Sequence, residues 1–410
     1  MNNPSAAEIK SSARLLHLDG LRGLAALFVV IAHFFNLFDY ALIDGLPKDS
    51  LVGIEPWIAR SPLNIIFGGG VMVQIFFVLS GYVLVRSFME NSSFLGALSR
   101  RYIRLALPIF VGCLAAWLLN ILGLNFAPKI LALRHSPWLT GIYDTGLPRQ
   151  DIGEVLSQAF YRVLFTVTNT WKMDGPLWTM AIEFSSSVLL IIFCRLLKSK
   201  KVDAYAILFV FTLFTWGYYQ FYILCGSWLF LFEKKGYLFE IIPWKVFIPL
   251  CLLAVLYASQ PIAKAVFVYN IFSFQESHFI EYGSPNIFCF EACDRTALFH
   301  GFGALLILFL VNGSPLLKIF LSRFVFLGKI SFPLYLIHQP LLFATAGISL
   351  YVFNITNSWL ISMLVLAPIY FCIVFYSSWL IYLHVEKPAV AFSKRVGFSM
   401  DRFCEKPEPL

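Results

Sequence analysis

The chain has 410 residues, of which 59% are hydrophobic, 17% aromatic and only 13% charged. A soluble protein of this length needs more charged residues to cover its surface, so this composition excludes an ordinary soluble domain. The net charge of +8 does not indicate nucleic-acid binding, because the basic residues lie in short loops between apolar runs, where they set membrane topology.

The apolar residues form many runs near the length of about 20 residues that a helix needs to cross a bilayer. We therefore predict an all-α polytopic membrane protein with an N-terminal segment (1–20), a ten-helix membrane domain (21–383) and a poorly ordered polar tail (384–410). The first segment lacks the features of a cleaved signal peptide, so we expect the first helix to be retained. The predicted spans are 21–38, 66–88, 104–122, 175–197, 203–219, 221–233, 242–259, 296–312, 324–349 and 358–383.

The charge of the loops predicts that both termini lie in the cytoplasm. Basic residues recur in every second loop, whereas the first and seventh loops are mostly acidic. This alternation follows the positive-inside rule. It is kept when the apolar segment 205–232 forms two spans, and one long, bent segment is the alternative.

The first span carries two polar residues, Arg22 and His33, within LDGLRGLAALFVVIAHF. They are 11 positions apart. At about 100° and 1.5 Å per residue, this spacing places them within about 20° on one helix face and roughly 16 Å apart in depth. A cation and an imidazole on one face of a membrane helix indicate a lined cavity rather than a lipid-facing surface.

Two further ionisable residues are predicted to reach the depth of His33. Glu183 lies eight residues after Gly175, where the fourth span begins, and so about 12 Å deep. His338 lies in the second half of the ninth span. An imidazole accepts a proton from a hydroxyl and a carboxylate holds the ring in the required tautomer, so these residues indicate acid–base chemistry. The structural alternative is a buried His–Glu hydrogen bond that only joins helices.

Three arginines, Arg100, Arg101 and Arg104, lie at the start of the third span in SRRYIRLALP. Arg101 and Arg104 are three residues apart and therefore share a helix face. Guanidinium groups bind phosphates well. If charge alone is considered, however, a positive-inside anchor is the better explanation.

Other features of the chain are less specific. The long third loop, about 123–174, carries the aromatic residues Trp138, Tyr143 and Trp171 together with His135. It fits either an interfacial aromatic belt or part of a carbohydrate platform, and we favour the belt. The eight cysteines form no CxxC pair, so no metal site is expected. Cys289 and Cys293 can pair if their loop faces an oxidising compartment.

These segments resemble acyltransferase family 3, the integral-membrane acyltransferases that modify bacterial surface sugars and some small molecules. LDGLRGLAALFVVIAHF is similar to the family's opening Arg-x10-His motif. FFVLSGYVL, RRYIR, GPLWTMAIEF and KISFPLYLIH are similar to its later motifs and occur in its order. The chain differs from the commonest pattern at Phe332, where tyrosine is frequent, and just after Glu183. No soluble domain follows the tenth span, so we expect the stand-alone form.

The resemblance implies roles for the residues that match the motifs. It implies that His33 is the catalytic base, that Arg22 is essential, and that Arg101 and Arg104 belong to an Arg-x-x-Arg motif associated with acyl-CoA. We place Arg100 in the same donor group and expect Glu183 to orient the His33 ring. Further supporting residues of the expected cavity are Asp19, Ser80, Trp178, Ser331, Tyr335 and His338.

We therefore expect a bacterial inner-membrane O-acyltransferase that moves an acyl group, most simply acetyl, from acyl-CoA to a hydroxyl of a cell-surface or exported carbohydrate. Acyl-CoA as co-substrate, the glycan acceptor and the bilayer are its expected partners, and no bound cofactor, metal or nucleic acid is expected. A transporter that uses the same His, Glu and Arg residues is the main alternative, and a non-catalytic scaffold or sensor is another. The acceptor, the acyl group, the membrane face of the reaction, an acyl-His relay and the oligomeric state remain open.

Overall fold

The computed structural model of the chain describes residues 6–89, 93–134, 136–143, 151–166, 174–199, 203–238, 241–259, 293 and 295–404. Every regular element in these ranges is helical, as predicted. Ten helices overlap the ten predicted spans, and an eleventh follows them. They are α1 (Ala6–Phe38), α2 (Gly70–Phe88), α3 (Phe94–Ile121), α4 (Trp178–Ser199), α5 (Ala204–Phe214), α6 (Tyr219–Lys234), α7 (Trp244–Ala258), α8 (Arg295–Gly313), α9 (Val325–Thr356), α10 (Trp359–Ile381) and α11 (Lys387–Cys404).

Short helices occupy the connections between these elements. The α1–α2 connection contains Ala41–Asp44, Pro47–Asp49, Glu55–Ala59 and Asn64–Gly68. The α3–α4 connection contains Ala127–Leu131, Pro137–Tyr143, Ile152–Ser157, Gln158–Arg162, Val163–Phe165 and Gly175–Leu177. Pro315–Ser322 joins α8 to α9, and the π-helical turn Tyr382–Glu386 joins α10 to α11.

Seven of the described helices are long and apolar enough to cross a membrane, which supports a polytopic membrane protein. The other three predicted spans correspond to α5, α6 and α7, which have 11, 16 and 15 residues. At about 1.5 Å per residue these helices are shorter than the hydrocarbon core, which is about 30 Å thick. By length alone seven helices are candidate spans, and the predicted count of ten stays a prediction because three of its helices fall short of the full thickness.

The segment that contains α5 and α6 folds back on itself. Trp228 Nε1 of α6 donates to Thr212 Oγ1 of α5 at 3.0 Å, and Lys235 Nζ lies 4.1 Å from the centre of the Tyr205 ring. Gly217, with a φ of 84°, lies in the turn between the helices. The segment is thus a helical hairpin, and the alternative of one long, bent helix is wrong.

Residues 384–404, predicted as a poorly ordered tail, are helical and packed. The helix of α10 continues through the π turn into α11, which lies against the start of α3. Arg100 Nη1 donates to Asp401 Oδ2 at 2.8 Å, and Ser93 donates from its backbone N–H and its hydroxyl to Asp401 Oδ1, both at 2.6 Å. The polar residues of this segment form the exposed face of a helix, which is why composition alone suggested disorder.

The crossing of α1 and α9 positions the site. A Cβ atom at Gly23 of α1 would overlap the backbone of Gly328 in α9. Glycines at these two positions let α1 and α9 approach until their backbones touch. A Cβ atom at Gly20 would overlap the backbone of Leu321, which belongs to the short helix Pro315–Ser322. We call the side of the bundle with the starts of α1, α3 and α9 and with α11 the terminal side, and the opposite side, with the α1–α2 connection, the loop side.

Candidate active site

His33 of α1 and His338 of α9, here called the His pair, are hydrogen-bonded to each other. His33 Nδ1 and His338 Nε2 are 2.7 Å apart. The ring centroids are 4.9 Å apart and the ring planes differ by 3°. Together these values describe two rings lying edge to edge in nearly one plane, as an aligned N–H···N bond requires.

The hydrogen bonds of His338 determine the tautomers of both rings. His338 Nδ1 lies 3.1 Å from the Leu334 carbonyl oxygen and 2.9 Å from that of Tyr335. Carbonyl oxygens only accept, so Nδ1 carries the proton and Nε2 of the neutral ring keeps its lone pair. His33 Nδ1–H therefore donates to His338 Nε2, and His33 Nε2 is left with a free lone pair. This pattern leaves His33 Nε2 able to accept a proton, while the hydrogen bond to His338 fixes the orientation of the His33 ring.

An indole ring covers His33. The Trp138 and His33 ring centroids are 5.0 Å apart, with planes 17° from parallel. Trp138 belongs to the α3–α4 connection, and Ser136 Oγ anchors this segment by donating to the Asn36 carbonyl of α1 at 2.7 Å. An aromatic face stabilises a cation placed against it, so Trp138 favours a protonated His33. Trp138 is partly buried and packs against His33 and Phe343, while His135 and Trp171 lie outside the described residues, so the interfacial interpretation of this loop stays a prediction.

A cavity of about 290 Å³ lies on the terminal side of the bundle and is here called the arginine cavity. Helices α1 to α4, α9 and the π turn contribute to its described lining. The apolar part of that lining comes mainly from α2, including Phe76, Phe77 and Leu79. Eight of the residues predicted from the sequence line it, namely Asp19, Arg22, Ser80, Arg101, Arg104, Glu183, Ser331 and Tyr335.

Two arginines of this cavity already have partners. Arg22 Nη2 lies 3.3 Å from Asp19 Oδ1 and donates to the Gly328 carbonyl at 3.0 Å. Arg101 forms an ion pair with Glu183. Arg101 is thus held by two side-chain partners, whereas Arg22 is held through Nη2 alone and its buried Nε has no hydrogen-bond partner among the described residues.

Arg104 differs from the other two arginines. It lines the cavity and is exposed there, and it forms no hydrogen bond or ion pair with any residue that the structure describes. Its guanidinium group keeps all its donors in a planar fork that suits a phosphate or carboxylate. Arg104 is therefore the best-placed anion anchor in the described part of the cavity.

Glu183 is not the partner of the His33 ring, which corrects the pairing expected from the sequence. Its Oε1 pairs with Arg101 and accepts a hydrogen bond from Ser80 Oγ at 3.2 Å. Arg101 Nε in turn donates to Ser187 Oγ at 2.9 Å. Similar depth suggested the His33–Glu183 pairing, but depth does not determine which helices face each other, and α9 rather than α4 meets α1 at His33.

Arg100 and Trp178 are not part of the described cavity lining. Neighbouring residues on a helix point about 100° apart, so Arg100 does not face the cavity with Arg101. It pairs instead with Asp401 of α11. Its assignment to the donor group is therefore wrong in this structure. The Trp178 ring packs against Tyr219, with centroids 5.0 Å apart, and supports the wall of the cavity from behind.

Tyr335 lies between the arginine cavity and the His pair. Its hydroxyl donates to the Pro176 carbonyl at 2.8 Å and lies 2.9 Å from Thr179 Oγ1. It lines the cavity one helical turn before His338, whereas the described lining includes neither His33 nor His338. The Tyr335 ring therefore lies at the boundary between the arginine cavity and the His pair.

Sequence reasoning missed Glu386, which lines the arginine cavity from the π turn. The predicted tenth span ended at residue 383, so Glu386 was assigned to the tail. Extending the apolar pattern of α10 by one further helical turn would have brought this carboxylate to the membrane end, beside the basic residues. Of the two cysteines considered for pairing, Cys289 lies outside the described residues, so the Cys289–Cys293 pairing stays a prediction.

Comparison with known proteins identifies the family of the chain. A family model described as "Acyltransferase domain" matches residues 15–383, a range that contains the His pair and the arginine cavity except for Glu386. The chain is 27% identical over 172 residues to an "O-acetyl transferase" of Shigella phage Sf6. That alignment covers 40% of this chain and 42% of the phage protein, so the chain spans about two fifths of that relative's length. No solved structure matches the chain.

Proposed function

Because the chain belongs to acyltransferase family 3, we propose that it is a membrane enzyme that transfers an acyl group from acyl-CoA to a carbohydrate hydroxyl. The observation that carries the proposal is the coplanar His pair with its free His33 Nε2, separated by one phenol ring from a cavity with an unpartnered arginine. The name of the phage relative favours acetyl as the acyl group. The bacterial inner membrane is the proposed location, with the terminal side in the cytoplasm.

The arginine cavity is the proposed donor site. Acyl-CoA carries phosphates at one end and the thioester at the other, and Arg104 offers a free guanidinium to the phosphates. Arg22 contributes positive charge nearby, while its ion pair with Asp19 holds it in place. The apolar lining of the cavity suits the uncharged arm that carries the thioester.

In the proposed reaction, His33 Nε2 takes the proton of the acceptor hydroxyl as the hydroxyl oxygen attacks the thioester carbonyl carbon. A C–O bond forms and the C–S bond breaks. The departing CoA thiolate then takes the proton from the imidazolium, so the products are an acyl ester and free CoA thiol. The thioester reaches His33 only when the Tyr335 side chain leaves its position against Pro176 and Thr179.

His338 and Trp138 stabilise the protonated state of His33 in this scheme. His338 Nε2 accepts from His33 Nδ1–H before and after proton transfer, and the Leu334 and Tyr335 carbonyls hold its own proton on Nδ1. This is the orienting role that a carboxylate plays in a Ser-His-Asp triad, here performed by a second imidazole. The Trp138 face adds attraction for the cation.

The proposal is tested with single substitutions at the His pair. His33→Ala should lower acyl transfer by about 10²- to 10⁴-fold, with unchanged thermal unfolding and unchanged binding of acetyl-CoA. His338→Ala should lower kcat and leave KM for acetyl-CoA unchanged, because the base stays but loses its orientation. His384→Ala is the matched control, because this exposed histidine lies in the π turn and outside the described lining of the cavity.

Mass spectrometry of surface glycans from cells that express each variant provides the readout, with a gain of about 42 Da per acetyl ester. Full acetylation by His33→Ala would contradict the assigned base. Uptake of a substrate without consumption of acetyl-CoA would favour the transporter alternative. Acid quenching during turnover of labelled acetyl-CoA separates direct transfer from an acyl-His relay, since only the relay leaves label on the protein.

A further inference from the structure

The described lining of the arginine cavity carries three arginines and three carboxylates. Two of the carboxylates, Asp19 and Glu183, form ion pairs with arginines. The third is Glu386, which forms no ion pair with any residue that the structure describes. Its Oε2 atom is buried without a hydrogen-bond partner. A buried carboxylate oxygen left without a donor is unusual and calls for a physical explanation.

Glu386 is nevertheless coupled to the arginines through space. It interacts electrostatically with both Arg22 and Arg104, although it lies beyond ion-pair distance of either. Much of the cavity wall is apolar, so these charges are screened less than they would be in open water. Glu386 also lies in the π turn Tyr382–Glu386, an insertion that changes which residues of the long helix face the cavity and that recurs at functional sites.

The carboxylate and the free guanidinium of Arg104 therefore share the cavity without touching each other. An anion that binds Arg104 enters the space in which Glu386 supplies the negative charge. The same anion is repelled by Glu386, which has no hydrogen-bond donor of its own to neutralise it. The described arrangement attracts a phosphate through one residue and opposes it through another.

This inference rests on the proposed acyl-CoA donor site. We propose that Glu386 supplies the negative charge that balances the arginines while the site is empty, and that the phosphates of the donor take over this role when they bind. Glu386 thereby weakens donor binding and speeds the release of CoA after transfer. It is a specificity-determining residue of the donor site rather than a catalytic one. Removing its charge should tighten the binding of CoA and slow product release.

The test measures CoA binding by isothermal titration calorimetry with the full chain in lipid nanodiscs. Glu386→Gln keeps the shape of the side chain and should lower the Kd for CoA roughly tenfold, an effect that salt reduces. Arg104→Ala should raise the Kd at least about tenfold. Asp401→Asn is the matched control, because it removes the same charge from the same continuous helix but pairs with Arg100 away from the cavity. It should leave the Kd unchanged.

The possible results separate this inference from the proposed function. An unchanged or higher Kd in Glu386→Gln, with wild-type binding that depends on Arg104, would overturn the proposed role of Glu386 and leave the donor site standing. Absence of CoA binding in the wild type would overturn both. If Glu386→Gln does not fold, Glu386→Asp draws the charge back by one methylene and should give a Kd between those of wild type and a neutral residue. An unchanged Kd in that variant would also contradict the inference.

Discussion

At the scale of single residues, the partners of a side chain decide its role more than its type. Arg101 and Arg104 lie one turn apart on the same helix face, yet Arg101 is paired with Glu183 and Arg104 is free. The first therefore stabilises the wall of the cavity, and the second is available for a ligand. The shared face was predictable from spacing, whereas the difference between the two arginines depends on α4, to which Glu183 belongs.

We predict that substitution of the two arginines changes different properties, namely acyl-CoA binding for Arg104 and stability for Arg101. Arg104→Ala should raise KM for acyl-CoA at least about tenfold and leave thermal stability unchanged, because no protein contact is lost. Arg101→Ala should lower the unfolding free energy by about 2 to 4 kcal/mol, because it leaves the Glu183 carboxylate without its counter-ion. Steady-state kinetics and thermal unfolding in detergent measure the two effects.

A double variant controls for the ion pair. Arg101→Ala combined with Glu183→Gln removes both charges and should recover part of the stability lost in the single variant, as a coupled pair requires. Equal changes of KM and stability in Arg101→Ala and Arg104→Ala would refute the distinction between the two arginines.

At the scale of elements, the α1–α2 connection has a charge arrangement of its own on the loop side. Burial and the neighbouring charge of Glu55 raise the pKa of Asp39 to about 7. Burial also opposes ionisation of Glu55, but hydrogen bonds from the Ser50 hydroxyl and from the backbone N–H groups of Leu51 and Val52 outweigh it and lower its pKa to about 2. Between about pH 4 and 6, Asp39 is thus mostly protonated while Glu55 is ionised.

This arrangement predicts two pH dependences of opposite sign. Between about pH 4 and 7, folded Asp39 keeps a proton that the unfolded chain has lost, so stability should fall as pH rises through this window. Asp39→Asn should remove that dependence. Below about pH 4.5, the unfolded chain binds a proton at Glu55 that the folded chain refuses down to about 2, so stability should fall as pH falls. Glu55→Gln should remove this second dependence.

Thermal unfolding between pH 3 and 8 in a detergent that carries no charge measures both effects. Asp39→Asn should flatten only the window between about pH 4 and 7. Glu55→Gln should flatten the acid window and also narrow the Asp39 window, because the charge of Glu55 helps to raise the pKa of Asp39. A wild-type stability curve without a decline between about pH 4 and 7 would contradict the raised pKa of Asp39.

At the scale of the whole molecule, the helices divide the structure into two sides with different chemistry. The terminal side has the arginine cavity and α11, and the loop side has the α1–α2 connection and Trp138 above His33. The His pair lies between these two regions. A donor that enters from one side and an acceptor that arrives from the other would meet at His33, which is the arrangement that transfer across a membrane requires.

We predict that the two sides are accessible from opposite faces of the bacterial inner membrane. A cysteine at the exposed position Val52, in a chain without other cysteines, should react with an impermeant maleimide added to spheroplasts. A second variant keeps Cys404 as its only cysteine. Cys404 is exposed on the terminal side and should react only after permeabilisation. Equal labelling of both positions in intact spheroplasts would refute the predicted orientation.

The sequence by itself determined the membrane class, the all-helical fold, the family motifs in their order and eight residues of the cavity lining. These features depend on composition, on hydrophobic length and on spacing within one helix, all of which are local properties of the chain. The limits of the sequence-based prediction have the same local origin. The helix that follows α10 was missed because apolar runs do not show where a helix stops.

Only the tertiary structure decided which residues face each other. His33 pairs with His338 across 305 positions, Arg101 with Glu183 across 82 and Arg100 with Asp401 across 301. Depth in the membrane can be counted along each helix, but rotation about its axis is set by packing, such as the glycine contact between α1 and α9. For that reason the residue types of the site were readable from the sequence, while the orienting ring of the base and the free arginine were not.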